Sequence, residues 1–109
     1  MSDSLLSNLD QWPAQRDQRI ELGDDLNASR VVDHFAYFRG RKRAAHASKE
    51  LEAHGFGVVL EHSLFRTAMT ASRTEPLTDS GVEAFLSLVI PIVEKSGGVY
   101  DGFGSPVVG

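Results

Sequence analysis

The chain contains no cysteine. That excludes disulfides, thiolate nucleophiles and thiolate zinc sites, so the fold must rest on its apolar core. No apolar run approaches the roughly 18 residues that a membrane-spanning helix needs. The opening Met1-Ser2-Asp3-Ser4-Leu5-Leu6 carries an acid where a signal peptide would carry basic residues, and no long apolar stretch follows. The expected location is therefore the cytoplasm, with no membrane partner. Internal repeats, low-complexity tracts and linkers are also missing. What remains is 109 residues, 41% hydrophobic and 24% charged, the composition of one ordinary globular domain.

Basic residues are scarce outside one short run. The net charge is −4 for residues 1–38, +4 for residues 39–43 (Arg39-Gly40-Arg41-Lys42-Arg43) and −4 for residues 44–109. A broad nucleic-acid surface normally belongs to a basic domain, and this acidic chain offers only a compact spot.

Residues 8–22 read as a helix ending at Gly23, and Gly23-Asp24-Asp25-Leu26-Asn27 as a polar loop with turn chemistry. Residues 30–38, RVVDHFAYF, are β-branched and aromatic and read as a strand. Alternation puts Val32, His34, Ala36 and Phe38 on one face and Val31, Asp33, Phe35 and Tyr37 on the other. Residues 41–54 read as a helix with Ala44, Ala47 and Leu51 on one stripe, stopped by Gly55. Residues 56–64 and 65–74 read as a hairpin turning near 61–65, although no Asn-Gly type signal marks the turn. A further helix starts at Ser80, by its capping-box spacing to Glu83, or at Thr78. It runs to Lys95 with an expected kink at Pro91. Gly97-Gly98 stop it, and residues 99–103 form the last strand.

After the first helix the order is β-α-β-β-α-β, which predicts an α+β, ferredoxin-like antiparallel sheet with its helices on one face. The expected layout is a single domain: an N-terminal helix and loop over 1–27, the core over 28–104 and a tail over 105–109. The extra helix must cover part of the open sheet face or pack at an edge.

The chemistry-bearing residues form no catalytic set. His46 and His54 lie about 12 Å apart along one helix and cannot share an ion, and no His-Glu-x-x-His spacing exists. There is no nucleophile elbow, and the glycine pairs do not sit between a strand and a helix as a phosphate cradle requires. No catalytic residue, metal or cofactor is expected. Arg39, Arg41, Lys42 and Arg43 stand where the helix macrodipole disfavours cations. They are read either as a solvated loop end paired with nearby acids or as a patch for an anionic partner. Phe35 and Tyr37 share a face with Asp33. They either stack on RNA bases or pack under the N-terminal helix.

Gly97-Gly98-Val99-Tyr100-Asp101-Gly102-Phe103-Gly104 resembles the G-G-x-Y-D-G-W-G signature that ends the regulator of ribonuclease activity B family. Val32-Asp33-His34-Phe35-Ala36-Tyr37-Phe38 is similar to that family's first strand, V-D-F-F-x-Y-F. Leu51-Glu52-Ala53-His54-Gly55-Phe56 resembles its L-x-x-x-G-F helix end, and Gly23-Asp24-Asp25-Leu26 its entry. Phe103 departs from the usual Trp, and the basic run stands where acids are usual. The resemblance implies a ferredoxin-like fold and a small, non-enzymatic, cytoplasmic bacterial protein that binds ribonuclease E and inhibits RNA cleavage. The residues singled out for partner contact are Asp33, Phe35, Tyr37, Tyr100, Asp101 and Phe103. Tyr100 and Phe103 are read as amphipathic anchors, and Gly102 and Gly104 as points of close backbone approach. A single-stranded RNA-binding module and a small ligand-binding or enzyme domain are the alternatives.

Overall fold

The computed structural model describes residues 2–109. It contains α1 (Asp3–Glu21), β1 (Arg30–Phe38), α2 (Arg41–Ala53), β2 (Gly57–His62), β3 (Thr67–Glu75), α3 (Asp79–Lys95) and β4 (Val99–Gly104). The four strands form one antiparallel sheet in the order β2-β3-β1-β4. This is the ferredoxin-like arrangement expected from the element order.

Helix α1 begins earlier than the sequence pattern suggested. Ser2 caps it by accepting a hydrogen bond from the Leu5 N–H, and Asp3 adds a favourable charge to the first turn. Leu5, Leu9 and Trp12, spaced i, i+4 and i+7, form its inward stripe. The helix runs through Pro13 without interruption. In α3 the cap is Thr78, whose hydroxyl accepts from the Gly81 N–H, and the helix continues through Pro91.

The core lies between the sheet and the helices. From β1, Val32, Ala36 and Phe38 point into it, as alternation required. They meet Ala44, Ala47 and Leu51 of α2 and Val82, Phe85, Leu86, Val89 and Val93 of α3 in one cluster. Helix α1 joins this layer by packing on α3. The Trp12 indole N–H donates to Asp79 Oδ1 at 2.8 Å, and Arg16 pairs with the same carboxylate at 3.2 Å. The Trp12 and Arg16 bonds hold the Asp79 carboxyl below the usual carboxylate range. The opposite face of the sheet is left bare, so Phe35 and Tyr37 do not pack under α1.

The turn after α3 explains the paired glycines. Gly97 takes φ +79, the left-handed conformation that closes a helix. Gly98 is needed for a different reason: a Cβ there would overlap the ring of the buried Phe38. Gly98→Ala is therefore expected to destabilise the fold by about 1–3 kcal/mol through overpacking. Urea denaturation checks this, and a midpoint equal to the wild type's would refute it. Gly102 serves a bulge, with φ +96 where the β1–β4 register shifts between His34 and Ala36. Within the chain nothing lies within 4 Å of a Cβ on Gly102, and one on Gly104 would make only ordinary contact with Phe35.

The loop before β1 is not a simple polar turn. The Asp24 side chain is 0% exposed and pairs at 2.9 Å with that of Arg30, which is 2% exposed. Arg19 adds a second pairing at 3.1 Å. Asp24 also accepts from the Val108 N–H, and Arg30 donates to the carbonyls of Ala28, Asp25 and Pro106. The C-terminal segment is thus tied to the start of β1. Burial pushes the Asp24 carboxyl up, but the Val108, Arg30 and Arg19 bonds outweigh it and hold the group below its ordinary value.

Candidate functional site

The outward residues of β1 build the bare face. Phe35 lies opposite Thr70, Asp33 opposite Ser72 and Gly104, and Tyr37 opposite Ala68 and Val99. Val59 of β2 continues the row beyond Thr70. Phe35 remains 39% exposed, and Val31, Val59 and Val99 are exposed as well. The polar members are held in place. Ser72 Oγ donates to Asp33 Oδ1 at 2.6 Å, and the Arg66 guanidinium stacks 4.7 Å above the Tyr37 ring.

The β2–β3 hairpin tip extends this face. Ser63 closes the turn by donating its N–H and its hydroxyl to the Arg66 carbonyl. Leu64 and Phe65 are left on the tip, 88% and 84% exposed. Phe65 therefore belongs to the turn and not to a strand. Its apolar character mimicked the start of an alternating run, while the turn rests on a serine hydroxyl rather than a glycine. Since Phe38 pairs with Thr67, the tip lies at the same end of the sheet as the basic run that follows β1.

Of the six residues singled out in the sequence, Asp33, Phe35 and Tyr37 come together on this face. Asp101 is exposed on β4, while Tyr100 and Phe103 face the core. Tyr100 is 6% exposed and its hydroxyl meets His34 Nδ1 at 2.9 Å. Burial, reinforced by the negative charge of Glu75, pushes its phenol well above the ordinary tyrosine range. Phe103 packs edge-on against Phe85 at 5.0 Å and lies 6.2 Å from Trp12. His34 stands at the centre of this aromatic set, 4.8 Å from Phe85, with Nε2 facing Glu75 Oε2 at 3.7 Å. The bulge at Gly102 reverses the parity of β4, which is why Tyr100 and Phe103 both point inward although they are three residues apart.

Arg39, Arg41, Lys42 and Arg43 are all exposed, and none lies within ion-pair distance of a carboxylate among the described residues. The four charges are not neutralised by neighbouring acids. Three of the histidines are engaged elsewhere: His34 with Tyr100, His46 with Ser96 and His62 with Thr67. Among the described residues, no group of three or more His, Asp or Glu side chains is placed to hold a metal ion, and no helix is long and apolar enough to cross a membrane.

No curated protein matches the sequence. The model of one protein family, described as regulator of ribonuclease activity B, matches residues 17–105. That span runs from the last turns of α1 through β4 and takes in the bare face, the basic run and the Gly97–Gly104 segment. The chain therefore belongs to the regulator of ribonuclease activity B family.

Proposed function

We propose that this protein is a non-enzymatic regulator that binds an RNA-decay enzyme, ribonuclease E or a close relative, and slows RNA cleavage in the bacterial cytoplasm. The observation that carries the reading is the family match across residues 17–105. The bare face supplies a surface of the right kind. Val31, Phe35 and Val59 give it exposed apolar area that would lose water on docking, and Asp33, between Val31 and Phe35 on the strand, is held by the Ser72 hydroxyl. Regulation by occlusion needs only such a surface, with no reacting group or cofactor.

The test is a cleavage assay with the host's purified ribonuclease E and a single-stranded substrate. Stoichiometric protein is expected to lower the initial rate at least about tenfold, and the two proteins are expected to co-elute in size-exclusion chromatography. An unchanged rate, with separate elution at low salt, would overturn the proposal.

A further inference from the structure

We propose that a cleft on the helical side of the molecule, apart from the bare sheet face, binds a terminal phosphate group of a nucleotide or of an RNA. The cleft has a volume of about 460 Å³ and lies between the first turns of α2 and the C-terminal end of α3. It is lined by Lys42, Arg43, His46, Lys95, Ser96 and Gly97, with no carboxylate among them. It is shallow and open to solvent, a shape that suits a charged terminal group rather than an enclosed ligand.

The charge balance points to a dianion. Lys95 is paired with Glu50 at 3.0 Å, which leaves Lys42 and Arg43 as two cations without a carboxylate partner. They stand in the first turn of α2, which has no acid of its own, and its cap residue Gly40 offers no side-chain bond. A bound anion would relieve both the mutual repulsion and the unfavourable placement of cations at a helix start. A phosphate monoester carries about −1.5 to −2 charges and three acceptor oxygens at neutral pH, matching two cations. A single carboxylate matches one. The side chains around these cations are already positioned. The His46 ring is fixed by the 2.9 Å contact of Nδ1 with Ser96 Oγ, which leaves Nε2 without a protein partner. Arg43 extends across the helix end. A Cβ on Gly97 would come within 3.2 Å of its Nη1, which places the guanidinium directly over the turn that ends α3. The arginine fork and the lysine point charge are the usual pair for phosphate oxygens.

The inference stands whether or not ribonuclease binds the sheet face, and calorimetric titration tests it. The probes are adenosine monophosphate, a ten-nucleotide RNA with and without a 5′ phosphate, and a glutamate-rich peptide of equal charge. Adenosine monophosphate is expected to bind, and Arg43→Glu and Lys42→Glu are each expected to weaken it at least tenfold. Lys49→Glu, the same charge change on an exposed part of α2 outside the cleft, is expected to weaken it less than twofold. Tighter binding of the phosphorylated RNA than of the nucleotide identifies RNA as the source of the phosphate, and equal binding identifies the free nucleotide. The proposal is overturned if neither phosphate probe binds at low salt, if Lys49→Glu weakens binding as much as Arg43→Glu, or if the peptide binds more tightly than both phosphate probes. Circular dichroism of each variant confirms that the fold is retained.

Discussion

Asp24→Ala is expected to lower the stability of the fold by about 3–5 kcal/mol, the usual consequence of removing one partner from a buried ion pair. The Arg30 guanidinium would remain buried at the base of β1 with only carbonyl acceptors around it. The Val108 N–H would lose its acceptor, and Arg19 its carboxylate, keeping only the Ser105 carbonyl. Asp24→Asn keeps the shape and an acceptor for Val108, so its difference from wild type isolates the charge. Since domains of this size are stabilised by about 5–15 kcal/mol in all, the alanine variant is expected to show a far lower urea midpoint. A loss below 1 kcal/mol would show that the tether carries little of the fold. The same carboxyl sets a pH signature. Its value in the folded chain is depressed, so its contribution is fully present above the unfolded carboxylate value of about 3.9. That contribution fades as pH falls through the lower folded value. Urea midpoints taken from pH 6 to pH 3 are expected to drop more steeply in wild type than in Asp24→Asn.

Asp24 also marks where the sequence stops being readable. In a run of Gly, Asp and Asn its side chain has the composition of an exposed turn, and nothing local reveals that Arg30 and the C-terminal segment close over it. The alternation of β1 was readable because its period is local: Val32, His34, Ala36 and Phe38 fall inward without reference to other strands. The period of β4 was not, because a single glycine at positive φ shifts its phase, and Tyr100 and Phe103 turned from expected anchors into core residues. The docking of α1 was open for a related reason. Leu5, Leu9 and Trp12 define a stripe, but a stripe does not name its acceptor. The Trp12 hydrogen bond to Asp79, 67 residues away, brings α1 to the helical layer and leaves the sheet bare. The strand order, by contrast, follows from the β-α-β-β-α-β succession and the short connection at Ser63–Arg66.

The bareness of that face makes the second large effect specific. Phe35→Asp is expected to weaken the proposed ribonuclease complex by about 100-fold, the scale of a single interface hot spot of 2–3 kcal/mol. A carboxylate beside Asp33 would bring a second negative charge to the centre of the docking surface, where charged residues are normally depleted. Stability is expected to change little, since Phe35 points away from the core and its nearest cross-strand neighbour is the partly exposed Thr70. Tyr37→Ala removes both the ring and the surface on which Arg66 stacks, and is expected to weaken binding about tenfold. Surface plasmon resonance on immobilised ribonuclease reads both variants, with thermal denaturation run alongside. The discriminating control is Asp101→Ala, the exposed β4 position separated from the β1 row by the bulge. If Asp101→Ala abolished binding while Phe35→Asp preserved it, the contact would lie along the β4 edge and the sheet face would lose its role. The opposite result, together with an unchanged melting temperature, would place the partner over β1. There Phe35 offers exposed apolar area beside the Asp33 carboxylate, which the Ser72 hydroxyl holds in place at 2.6 Å.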